Sequence, residues 1–125
     1  MAAGVGLSSD RSRNAVSTPL GSPVALKLGN RLPSFTANLF APDGTPASLP
    51  GVVTFRMREV FTRASKIAAG PVVIEDPAVA SVRYDWQAGD SDTAAEYEAW
   101  FDHTDAGGRV ESFPSQGAIR VRVEP

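Results

Sequence analysis

From Val24 onward the chain alternates apolar and polar residues in short runs, each closed by turn-forming residues. Val24, Leu26 and Leu28 alternate up to Gly29-Asn30, and Phe35, Ala37 and Leu39 up to Pro42-Asp43-Gly44. Val53, Phe55 and Met57 follow Leu49-Pro50-Gly51. The same period returns in Ser81 to Trp86, Tyr97 to Thr104, Arg109 to Phe113 and Ala118 to Val123. A period of two sends neighbouring side chains to opposite faces, so each run predicts a strand with one buried and one wet face. Lys66 to Ala68 and Val72 to Ile74 read as two short strands around Gly70-Pro71, and Glu59 to Ser65 fits either a loop or a single helical turn. About eight or nine short strands over a hundred residues predict an all-β, antiparallel β-sandwich.

The first 23 residues break this pattern. They are rich in Ala, Gly and Ser, hold no aromatic residue and end in Thr18-Pro19 and Ser22-Pro23. Such a segment buries too little apolar surface to offset its ordering entropy, and is ordered only when something ties it down. The expected organisation is therefore an extended arm over 1–23 and one domain over 24–125. The blander reading rests the arm on its own domain; the sharper one lays it on a neighbouring subunit.

Composition narrows the function classes. The 125 residues suit a single domain. A net charge of -2 leaves no basic excess for nucleic acid. Ten prolines and eleven glycines punctuate the chain as a fold of many short strands requires. Without cysteine there are neither disulfides nor thiolate metal sites. No apolar run is long enough to span a bilayer, and Asp10, Arg11 and Arg13 stand where an export signal needs its hydrophobic segment, so neither a membrane partner nor a signal peptide is expected.

Several runs share a specific wording. Val82-x-Tyr84-x-Trp86 leads to a Gly89-Asp90 turn; Tyr97-x-Ala99-x-Phe101 follows, then Phe113-Pro114 with Gly117, then Val121-x-Val123. Leu49 to Arg58 reads LPGVVTFRMR. Together these resemble the immunoglobulin-like domain at the N-terminus of phage baseplate upper proteins, over about four fifths of the chain. The family often carries glycine where this chain has Ala80, and again shortly before the Tyr97 strand, where this chain has Ala94, Ala95 and Glu96. The resemblance implies an immunoglobulin-like sandwich and a place in a virus particle.

Candidate chemistry is sparse. His103, the single histidine, has inward parity with Tyr97, Ala99 and Phe101, which favours a structural role over catalysis or zinc. Asp90-Ser91-Asp92-Thr93 has the look of a calcium loop but lacks its glycine and distal glutamate, and such residues also build turns. Asp92-Thr93-Ala94 before Tyr97 suggests a tyrosine corner, in which a buried tyrosine bonds back to the chain. No phosphate loop, nucleophile elbow or zinc-protease pattern occurs. No cofactor, metal or catalytic residue is expected.

The remaining candidates belong to an interface. Arg56, Arg58, Arg83, Arg120 and Arg122 have outward parity on three strands, interleaved with Asp85, Glu98, Asp102 and Glu124. On one sheet they would form a cationic stripe, either solvated and self-paired or facing a partner. Trp100 also points outward, between Glu98 and Asp102; it either packs beneath the 59–70 connection or serves as a contact hot spot. Arg11 and Arg13 are the arm's candidates. The expectation is a non-enzymatic accessory protein of a tailed phage virion, homo-oligomeric in the particle and contacting other virion structural proteins but not nucleic acid. Because the last strand is followed at once by Pro125, with nothing to present, capsid-surface decoration or cementing is preferred to a tail or baseplate adaptor. A carbohydrate-binding module is a more distant alternative, since Trp100 alone would have to supply its aromatic platform.

Overall fold

The structure, a computed structural model, describes residues 14–18 and 24–125. It is all-β. Among the described residues there are nine strands: β1 (Ala15–Ser17), β2 (Val24–Lys27), β3 (Phe35–Phe40), β4 (Val52–Glu59), β5 (Ser65–Asp76), β6 (Ser81–Tyr84), β7 (Ala95–Thr104), β8 (Val110–Phe113) and β9 (Ile119–Glu124). They form one continuous sheet in the order β1-β3-β6-β5-β4-β7-β9-β2, with β8 added to β7.

The sheet curls because β5 belongs to both of its halves. Residues up to Pro71 pair with β4, and Val72 onward pairs with β6. The two short strands expected around Gly70-Pro71 are thus one strand of 12 residues. Proline is tolerated at this point because the missing N–H falls where the ladder changes partner. Glycine is required for a different reason. A Cβ on Gly70 would run into the ring of Tyr84 on β6, so the strand can bend over that ring only without a side chain.

Curling brings strands far apart in the sheet order face to face. Phe35 on β3 meets Phe55 on β4 and Phe101 on β7, with ring centroids 5.3 and 5.8 Å apart. Tyr84 stacks on Phe55 at 4.6 Å, and Trp86 closes the cluster against Phe35, Phe55 and Tyr84. These rings are buried, as period-two parity predicts. The Trp86 indole N–H donates to the Pro33 carbonyl at 3.2 Å, which satisfies its one polar atom. The Tyr97 hydroxyl donates to the Thr93 carbonyl at 2.8 Å, the back-bond of a tyrosine corner.

Of the segment expected as an arm, residues 14–18 are described, and they bond within the chain. Ala15–Ser17 pair antiparallel with β3. Asn14 reaches the far side of the fold, donating its backbone N–H to Ser115 Oγ at 2.8 Å and its side-chain amide to the Ser112 carbonyl at 3.2 Å. Edge groups of β3 and the β8–β9 corner offer partners that a segment poor in apolar residues lacks on its own. The pairing is also not wholly antiparallel: β2 lies parallel to β9, with Val24 opposite Val121 and Leu26 opposite Val123. The 59–65 connection is a turn rather than a helix, closed by the Glu59 N–H to Ala64 carbonyl bond at 2.9 Å, with Arg63 in the left-handed region at φ 63°.

Candidate functional site

The outer face of β4, β7 and β9 gathers most of the expected interface residues. Register places Arg56 opposite Trp100 and Arg58 opposite Glu98, and on the far side of β7 Glu98 faces Arg120 and Glu96 faces Arg122. Arg83 is not part of this group. It lies on β6, in the other half of the sheet, where it pairs with Glu75 at 2.7 Å and Asp85 at 2.9 Å. Hydrogen bonds from Ser34 and Arg83 hold the Asp85 carboxyl below the usual range. The three strands carrying the arginines do not present them on one side, because β5 turns the sheet over between β4 and β6. Arg11 and Arg13 fall outside the described residues.

Trp100 lies on this face beside the 59–70 connection. It is half-buried, and the guanidinium carbons of both Arg56 and Arg58 lie over its ring, each 5.2 Å from the centroid. Such stacking places a cation against the negative face of the indole and lowers the cost of a wet aromatic. The 59–70 connection contributes Arg63, Ser65 and Ile67 to a shallow hollow of about 140 Å3 beside the ring. That hollow is smaller than a drug-sized ligand needs.

The arginines are only partly neutralised. Arg58 and Arg63 both bond Glu98 Oε1, at 2.6 and 3.0 Å, so two cations share one carboxylate. Arg56 reaches Asp102 at 3.3 Å, while Asp102 also accepts the Ser112 hydroxyl at 2.7 Å. Arg122 pairs with Glu96 at 2.8 Å. Arg120 is exposed and has no side-chain partner among the described residues. Apart from the Arg122–Glu96 pair, four arginines on this face, Arg56, Arg58, Arg63 and Arg120, stand beside two carboxylates, Glu98 and Asp102.

His103 is buried, as parity predicts. Its Nε2–H donates to the Pro50 carbonyl at 2.5 Å, and Nδ1 stands 3.1 Å from Glu111 Oε1. Ser48 lines the same cleft of about 430 Å3, but both ring nitrogens are already engaged, so the imidazole is not placed to take a proton from that hydroxyl. Gly51 sits beside this cluster at φ 108°, and any side chain there would strike the Thr104 carbonyl. Asp90 accepts the Tyr84 hydroxyl at 2.5 Å and the Gln87 N–H at 2.7 Å. Asp92 pairs with Lys66. These carboxylates serve the turn, and among the described residues no group of histidine and acidic side chains is arranged to hold a metal ion.

Sequence reasoning passed over the exposed apolar residues. Phe61, at the tip of the β4–β5 turn, is 83% exposed. Val52 and Val110 flank Thr104 in one cross-strand row and are 60% and 61% exposed. Outward parity on β4 was a usable signal for Val52. Phe61 gave none, because parity has no meaning in a turn. No family model matches the chain, and no curated protein matches it.

Proposed function

We propose that the protein is a non-enzymatic accessory structural protein of a tailed phage particle, decorating or cementing the capsid surface through its N-terminal arm and the outer face around Trp100. An immunoglobulin-like sandwich belongs to this reading. Cut at Gly70-Pro71, the curled sheet divides into β1-β3-β6-β5 and β5-β4-β7-β9-β2, the succession of strands found in the two sheets of immunoglobulin folds. The segments that resemble the baseplate domain fall on β4, β6, β7, β9 and the corner between β8 and β9. Ala80, where that family often has glycine, holds φ 50°, a conformation that glycine adopts most readily.

The observation that carries the proposal is the Trp100 face. Tryptophan and arginine dominate contact hot spots, and here they share a shallow, half-exposed surface. A sugar-binding platform fits less well, because the two guanidinium groups occupy the ring against which a sugar would stack. A tail or baseplate adaptor is the second reading, favoured by the motif resemblance. Immunogold electron microscopy on particles made from the encoding genome, with antibody to this chain, separates the two. Label over heads is the expected result, label at tail tips supports the adaptor, and unlabelled particles end both readings.

A further inference from the structure

We infer that the Trp100 face takes a carboxylate-bearing protein surface, docked through Arg56, Arg63 and Arg120. This rests on the interface reading above and names its partner's chemistry. The argument is charge complementarity. On a chain of net charge -2, Arg56, Arg58 and Arg63 flank Trp100 and Arg120 stands opposite Glu98 on β9, with Glu98 and Asp102 the only carboxylates bonded by these four among the described residues. Both acids are already engaged: Glu98 accepts two guanidinium groups on Oε1, and Asp102 accepts Arg56 and the Ser112 hydroxyl. Both acids are largely covered, with side chains 14% and 10% exposed, whereas Arg56 and Arg63 are 48% and 61% exposed. The anions are sunk into the face and the cations project from it.

Carboxylate is the favoured anion for a geometric reason. A guanidinium presents a planar fork of donors that matches a carboxylate, and this face already engages carboxylates through Arg56, Arg58 and Arg63. The hollow beside Trp100 is too small to enclose a sugar ring with its substituents, which disfavours an acidic glycan. Trp100 then acts as an anchor whose indole holds Arg56 and Arg58 in place and reduces the entropy lost on docking.

Poly-L-glutamate is the probe, titrated against the full chain with tryptophan fluorescence as the signal. Saturable binding is expected, weakening markedly between about 50 and 300 mM salt because exposed charge pairs are screened. Arg63→Glu combined with Arg120→Glu should weaken binding by about tenfold or more, with the melting temperature retained because both side chains are exposed. Arg63→Ala with Arg120→Ala is the milder pair, should the reversal disturb folding. Arg83→Glu, on the other half of the sheet, should leave binding within about twofold of the unmodified chain. Absence of binding, an equal loss in Arg83→Glu, or tighter binding of heparin than of poly-L-glutamate would overturn the inference. Failure of the virion reading is separately visible as unlabelled particles with glutamate binding intact. A double-reversal protein that still occupies particles fully would refute the docking role alone.

Discussion

At the scale of single residues, burial sorts the aromatics by task. Trp86 is 2% exposed, packed against three rings and bonded to Pro33. Trp86→Ala should cost about 3–5 kcal/mol, as for other buried aromatics, with an unpaired Pro33 carbonyl added to the cavity. Urea denaturation checks this; a loss under about 1 kcal/mol would mean the ring is not a core element. Trp100 differs in kind. Its contacts are guanidinium groups on one wet face, so its removal affects that face more than the core.

Among the elements, β5 decides the architecture. It carries the chain from β4 to β6, and the crossing point is a glycine pressed against Tyr84. The Gly70 backbone is not in the left-handed region, so strain would come from contact alone. Gly70→Ala should displace the Tyr84 ring from its stack on Phe55 and its bond to Asp90, costing about 1–3 kcal/mol by overpacking. Thermal unfolding reads the loss. An unchanged midpoint would mean that the crossing has room to relax, and that Tyr84 does not brace the bend.

For the whole molecule, stability should form a plateau bounded at both pH extremes. Burial, with the bond to Asp90, pushes the Tyr84 hydroxyl up, and burial does the same for Tyr97. The Lys66 ammonium is raised by its bond to Asp92. Groups with raised folded values contribute fully below their unfolded values, about 10, and that contribution is lost as pH rises further. Asp92 is lowered by Lys66, Asp85 by Ser34 and Arg83, and Asp105 by the Arg109 backbone and side chain. Their contribution is present above about pH 4 and lost as pH falls through the folded values. A midpoint-against-pH curve should therefore fall at both ends. Tyr84→Phe should lower the plateau yet flatten the alkaline fall; an equally steep alkaline fall would show that Tyr84 does not carry it.

Period-two alternation by itself determined burial inside the strands for most positions, since side-chain parity is a local property of an extended backbone, but Leu28, which lies past the end of β2, is exposed and the outward Asp102 is covered. Val82, Tyr84 and Trp86, and Tyr97, Ala99 and Phe101, lie inside as their spacing requires. His103 follows the same rule, and the Thr93–Tyr97 back-bond was legible because it spans four residues. Tertiary structure decided what local spacing cannot encode. Partner choice in a sheet depends on strands distant in the chain, so neither the parallel β2–β9 pair nor the capture of Ala15–Ser17 by β3 has a local signature. The same holds for the arginines. Parity pointed Arg83 outward together with Arg56, Arg58, Arg120 and Arg122, but which half of the sheet each belongs to depends on the crossing at Gly70-Pro71. That one change of pairing partner put four arginines on the outer face of β4 and β9 and left Arg83 on the other half, because outward is defined only once the sheet has curled.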